Sequence, residues 1–207
     1  MKKHQENILV VSVDNFEKEY TSKEFGIISY EKLKNLLNRS TFHPRYKMEE
    51  DQSYKQIIPY VVVMDENNKV LTYKRSSKGG ENRLHDKYSI GVGGHLDVTS
   101  EMSNLTGIDI YKEGLAREVK EELNITSNPD DFTIEGFLYD DSNDVGKVHF
   151  GVVSFLKVNS STFAHDGELD ILVDRSFLSK EELIEKYDSL ENWSKIVFDN
   201  LIKNMSF

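Results

Sequence analysis

Cysteine is absent from this chain of 207 residues. That excludes disulfides, thiolate metal sites and cysteine nucleophiles. Long apolar runs are missing too. The N-terminal run Ile8–Val13 ends at Asp14 after six residues. It is too short for the core of a signal peptide and far too short for a membrane span, so a cytoplasmic protein is expected. Positive charge is scarce: 26 Lys and Arg stand against 36 Asp and Glu, a formal net charge of −10. Broad electrostatic binding to a nucleic acid polymer or an anionic membrane is therefore disfavoured. A small polyphosphate is not, because a bound metal ion can invert the local charge.

What is present is enough for a core. Hydrophobic residues make up 38% and aromatic residues 11% of the chain. The length fits one large domain, or one domain with an extension. Asn7–Val13 reads as a buried strand. Ser29 reads as the N-cap of a short helix carrying Leu33, Leu36 and Leu37 on one face. The segment Asn38–Lys55 is polar, contains Pro44 and is expected to be irregular. Residues 1–55 are thus expected to be an extension packed on a main domain, 56–207.

Ile57–Met64 is the strongest strand candidate. The turn Asp65-Glu66-Asn67-Asn68 and a strand Lys69–Lys74 complete a hairpin. Tyr88–Val92 is another short strand and runs into Gly93-Gly94. Thr133–Tyr139, Val145–Lys157 and Leu169–Val173 read as strands. Ser179-Lys180-Glu181-Glu182 is a capping box, and Ser189 is expected to open the last helix. Strands, then a helix, then strands, then helices imply a layered α/β domain with a mixed sheet.

The most informative stretch is Arg117-Glu118-Val119-Lys120-Glu121-Glu122-Leu123-Asn124-Ile125, within a helix expected over Asp109–Asn124. Glu118 and Glu122 are spaced i, i+4, and Glu121 shares their face. Leu115, Val119 and Leu123 form a separate apolar stripe. Like charges at i, i+4 cost roughly 0.2–0.5 kcal/mol per pair. Anions in the C-terminal half of a helix also oppose the macrodipole. Divalent cations on that face would repay both penalties.

This stretch resembles the second half of the Nudix hydrolase box, G-x5-E-x7-R-E-U-x-E-E-x-G-U, where U is a bulky aliphatic residue. It matches at all but one defined position. Asn124 replaces the usual glycine where the helix ends, and Asn is the next most tolerant residue of a left-handed conformation. Gly93-Gly94-His95 looks like the start of the box. Gly94 lies nine residues too early, which implies an insertion within Asp97–Ile108. The acidic position of the box falls on Asp109, with Glu101 as a possible substitute. The resemblance implies a Nudix-type α/β/α sandwich.

It also implies metal-dependent hydrolysis of a nucleoside diphosphate linked to another group, using Mg²⁺ or Mn²⁺. Glu118 and Glu122 would be the main metal ligands. Glu121 would be a third ligand or the base, and Gly94 would offer its backbone carbonyl. Arg117 would orient a glutamate. Glu168 is a candidate additional base, and His43, Arg45 and Arg75 are candidates for contact with substrate phosphates. Isopentenyl diphosphate isomerase shares the fold but needs a cysteine. A nucleotide-binding sensor without turnover is the alternative reading, and it commonly lacks box carboxylates that are retained here. Selectivity is expected in the N-terminal extension and in the insertion. The extension could equally form a homodimer interface.

Overall fold

A computed structural model describes residues 6–20, 24–75, 87–97, 105, 107–162 and 172–205. The chain divides into two compact units. The first comprises Met1–Tyr60, Gly94–Leu115 and Ile134–Val153, and the second Val61–Gly93, Ala116–Thr133 and Ser154–Phe207.

In the first unit, β1 (Asn7–Ser12) lies between two other strands. It pairs antiparallel with β3 (Thr41–Pro44), placing Ile8 opposite His43, and with β4 (Tyr54–Met64), placing Val10 opposite Gln56. Ile8, Leu9, Val10 and Val11 are all buried, so both faces of β1 are covered. Ser12 ends the strand because its hydroxyl caps α1 (Val13–Glu19), accepting from the Asn15 amide. The expected strand had run one residue further.

Helix α1 was not anticipated: its seven residues bury only Phe16, which leaves no periodic signal in the sequence. Phe16 packs edge-on against Phe150 with ring centroids 4.8 Å apart, and Tyr20 packs edge-on against Phe137 at the same distance. Strand β2 (Glu24–Ile27) pairs with β7 (Phe132–Tyr139). Helix α2 (Tyr30–Asn38) is capped by Ser29 and buries Leu33, Leu36 and Leu37, as its spacing predicts.

The polar segment after α2 is not irregular. It forms β3 and a one-turn helix, α3 (Arg45–Met48). Backbone pairing to β1 supplies the order that side-chain polarity conceals. Another expectation fails at Val145. The chain forms α5 (Asp144–Val148), capped by the Asn143 side chain accepting from the Gly146 amide at 3.1 Å, before β8 (His149–Lys157) begins.

In the second unit, the hairpin from β4 to β5 (Val70–Arg75) forms as read. Asp65 closes the turn by accepting from the amides of Asn67 and Lys69, and Asn68 takes φ 59°. Strand β5 pairs with β6 (Tyr88–Ser89) and with β9 (Leu172–Leu178), with a bulge between Thr72 and Lys74. Strand β9 therefore lies later than the expected Leu169–Val173, of which 169–171 fall outside the described residues. The capping box of Ser179 and Glu182 opens α6 (Lys180–Glu185). The last helix, α7 (Asn192–Asn200), is capped by Glu191, while Ser189 closes a 3-10 turn. A carboxylate accepts from the amides of Trp193 and Ser194 there, a stronger cap than the hydroxyl the sequence suggested.

Candidate active site

The helix that carries the acidic stretch, α4 (Ile108–Leu123), is sixteen residues long. Tyr111, Leu115, Val119 and Leu123 are fully buried, which fixes its rotation. At the helix end the Asn124 amide donates to the Lys120 carbonyl at 3.0 Å, and Asn124 takes φ 56°. The left-handed helix end expected at Asn124 is present. The Lys120 ammonium is spent on Asn124 Oδ1 at 3.0 Å and Thr126 Oγ1 at 2.9 Å.

Arg117 is the organiser of the acidic face. One arm of its guanidinium reaches Glu118 Oε1 at 2.8 Å, and the other reaches both Glu121 oxygens at 3.1 Å. Glu118 is 7% exposed, the most buried carboxylate of the three. Glu121 points outward and Glu122 is half-buried. One guanidinium cannot neutralise three carboxylates. The three carboxylates stand within about one and a half helical turns. Partly buried charges of one sign, close together, favour a cation.

Among the described residues, no three acidic or histidine side chains already converge on one point as a metal cage. The donor chemistry nevertheless fits a hard divalent ion, since Mg²⁺ and Mn²⁺ take carboxylate oxygens and Mg²⁺ retains several waters. Arg117 holds two of the carboxylates by charge-assisted hydrogen bonds, which sets their rotamers.

Gly94 stands in the first unit, just before His95. The His95 ring nitrogen Nε2 lies 2.7 Å from Gln56 Oε1 and 3.4 Å from His149 Nε2. Burial, followed by the charge of Arg45 and by His149, pushes the His95 pKa well below its ordinary value. His95 is therefore neutral at pH 7. Its ring takes part in a hydrogen bond with the Gln56 side chain.

His43 on β3 lies against the Tyr54 ring, with centroids 4.9 Å apart. Arg45 bonds Glu49 Oε1 at 3.0 Å and lies 3.8 Å from a Glu6 oxygen, so its guanidinium is already engaged. Arg75 ends β5, opposite Leu172 of β9. Asp109 sits in the first turn of α4 and is exposed. Glu101 and Glu168 lie outside the described residues. Sequence reasoning passed over Gln56 and His149. Gln56 is a buried polar residue within the apolar strand Tyr54–Met64, and that break in pattern was the available signal.

No protein-family model matches the chain. Protein YmaB of Bacillus subtilis (strain 168) is 35% identical over 158 residues, 74% of each sequence. The crystal structure of Tm1382, a candidate Nudix hydrolase, superposes with a TM-score of 0.81 at 31% identity. It covers 97% of this chain and 100% of that one, so nearly all of the N-terminal segment belongs to the shared architecture. The Nudix domain of Shewanella oneidensis NrtR, solved with ADP ribose, shares the fold alone. Its TM-score is 0.53 at 10% identity, covering 73% of this chain and 89% of that domain. Among the described residues no helix is long and apolar enough to cross a membrane. With the acidic face of α4 in the register of the box and relatives of this identity and coverage, the chain belongs to the Nudix hydrolases, enzymes that act on phosphoanhydride bonds.

Proposed function

We propose that the chain hydrolyses a phosphoanhydride bond in a nucleoside diphosphate linked to another group, with Mg²⁺ or Mn²⁺ as cofactor. The observation that carries this reading is the acidic face of α4, where Arg117 bridges Glu118 and Glu121 while Glu122 stands four residues beyond Glu118. Glu118 and Glu122 would hold the cation, and the Gly94 carbonyl would offer it an uncharged oxygen. When bound, the cation supplies positive charge for the phosphoryl oxygens and a more acidic water.

The protein's own groups do the rest. Glu121 is exposed and held at both oxygens by Arg117, so it can take a proton from the attacking water or serve as a third ligand. Glu168 is a second candidate for that proton. Arg117 keeps Glu118 and Glu121 in fixed rotamers, so little reorganisation is needed when substrate arrives. We assign His43 and Arg75 to substrate phosphates. Arg45 is the weaker candidate, because contact with phosphate would require it to leave Glu49 and Glu6. Residues 1–55 and the 97–108 insertion are assigned to selectivity, since function in a shared fold is set outside the common elements.

The test is release of phosphate or pyrophosphate with Mg²⁺ or Mn²⁺, across nucleoside triphosphates, dinucleoside polyphosphates, nucleotide sugars and dinucleotide cofactors. Metal-dependent release by the wild type, lost in Glu122→Gln, is expected. Tight nucleotide binding without release would instead identify a sensor.

A further inference from the structure

Four residues of the second unit meet around one phenol ring. Tyr88 stands on β6 directly opposite Lys74 of β5. The Lys74 ammonium lies 4.6 Å from the centre of the Tyr88 ring. Lys186, the residue that ends α6, brings its ammonium to 4.5 Å from the same centre. The Tyr88 hydroxyl accepts from Lys186 Nζ at 3.3 Å and donates to Asp174 Oδ2 at 2.8 Å. That same Asp174 oxygen is 4.0 Å from Lys74 Nζ, a loose ion pair. Among the described residues, Lys186 has no carboxylate partner.

The backbone holds this cluster from several sides. Tyr88 bridges Leu190 in parallel, and its carbonyl accepts from the Glu191 amide at 2.9 Å. On β9 the register shifts, so that Asp174 and Arg175 together face the single Tyr73. A bulge of this kind re-aims a side chain. Asp174 takes φ 55° there, a conformation that glycine and asparagine adopt more readily. Residues held in such a conformation persist where their surroundings over-determine them, and they gather at sites with a function.

The charges around the ring do not cancel. Two ammonium groups brought to one ring repel each other, and a single carboxylate leaves one positive charge over. This surplus stands in a chain whose formal net charge is −10. Each ammonium carries three donors, more than Tyr88 and Asp174 take up. An anion that accepts from both ammoniums would complete the arrangement. Phosphate suits it, because its oxygens accept from several directions and lysine binds it as a point charge. The side chains of Lys74 and Asp174 are 33% and 58% exposed, so a solute can reach them.

We propose that Lys74, Lys186 and Tyr88 form a binding site for a phosphate group, built from residues outside the acidic face of α4. The two ammoniums supply charge and donors, and the ring fixes their spacing. Asp174 takes the phenol proton, which turns the hydroxyl lone pairs toward Lys186. Its own charge opposes the anion and keeps the affinity modest. The phosphates of a nucleotide and free pyrophosphate offer the same chemistry to this site.

The test uses the full chain without metal, in chelator and at low ionic strength. Under those conditions the carboxylates of α4 repel anions rather than bind them. Inorganic pyrophosphate is titrated by calorimetry into the wild type, Lys186→Gln and Asp174→Asn. Saturable binding to the wild type is expected. Lys186→Gln should weaken it about tenfold, the worth of one charge-assisted hydrogen bond. Asp174→Asn should tighten it, because the opposing charge is gone and asparagine keeps the positive φ. Effects of opposite sign within one cluster separate a binding site from a loss of fold.

No saturable binding to the wild type, or unchanged binding to a folded Lys186→Gln protein, overturns the proposal. If Lys186→Gln does not fold, the wild type still decides. Pyrophosphate should shift the labelled ring resonances of Tyr88, and unmoved resonances overturn the site. A nucleoside diphosphate sugar is the second probe. Tighter binding than pyrophosphate assigns the site to a substrate, weaker binding assigns it to free pyrophosphate, and either result carries the proposal. Binding at Tyr88 in a protein that hydrolyses nothing in the panel would sink the hydrolase reading alone.

Discussion

On α4, one guanidinium holds Glu118 and Glu121, and Glu122 lies one helical turn beyond Glu118. Around His95, an amide and two imidazoles meet donor to acceptor, with Gln56 uncharged and His95 held neutral. Both clusters are polar and partly buried, yet they are opposite in kind. The first gathers like charge on one helix face; the second is a set of hydrogen bonds among uncharged groups. Unbalanced charge at a partly buried place serves a ligand, because it is stabilised only when the ligand arrives. Balanced hydrogen bonds serve geometry, because they gain little from any newcomer and lose much when one member is removed. Substitutions in the first should therefore show mainly in turnover, and substitutions in the packing around the second mainly in stability.

The sharpest way to break that contrast is Glu122→Gln. It should lower kcat/KM by more than about 100-fold with the unfolding midpoint nearly unchanged, since a direct ligand should exceed the range of supporting residues. Steady-state Mn²⁺-dependent hydrolysis beside thermal unfolding checks both halves. Retained turnover would remove the acidic face from the chemistry. Arg117→Lys keeps the charge but not the fork that reaches Glu118 and Glu121 together. A loss of roughly 10-fold in kcat/KM is expected from that change, and wild-type rates would show that the fork is incidental.

Gly114→Ala probes the other region. It should gain about 1 kcal/mol of helix propensity. It also forces a methyl group into the buried Leu96 side chain, at a cost of about 1–3 kcal/mol. A net lowering of the denaturant midpoint is expected; a rise would mean that Leu96 yields freely. The smallest effect is predicted at Asn124. Asn124→Gly should leave stability within about 0.5 kcal/mol, because glycine accepts positive φ without strain. Asn124→Ala should lose about 1 kcal/mol, because alanine lacks the short polar side chain whose local hydrogen bonding lets asparagine tolerate positive φ. Equilibrium unfolding of the pair of variants separates the two.

The legible parts of this protein are those with local signals. The N-cap Ser29, the capping box at Ser179, the turn Asp65–Asn68 and the left-handed Asn124 each act through atoms within a few residues. They appear in the structure where the sequence puts them. The acidic face of α4 was legible for the same reason, as helical spacing alone gathers Glu118, Glu121 and Glu122. The elements that were missed lack such signals. Helix α1 buries one residue, and β3 is ordered by pairing to β1 across thirty residues of chain rather than by its own polarity. The start of β8 slipped to His149 because Asn143 caps a turn inside an apolar run.

By itself, then, the sequence determined which residues carry charge, on which helix face and in what spacing, together with the left-handed residue that stops that helix. Tertiary structure decided the partners. It engaged Arg45 with Glu6, and brought Gln56, His95 and His149 into one hydrogen-bonded chain from three distant segments. The physical reason is range. Helical periodicity and capping act over a turn or so of backbone, whereas the pairing of strands and the burial of polar groups depend on where the chain returns.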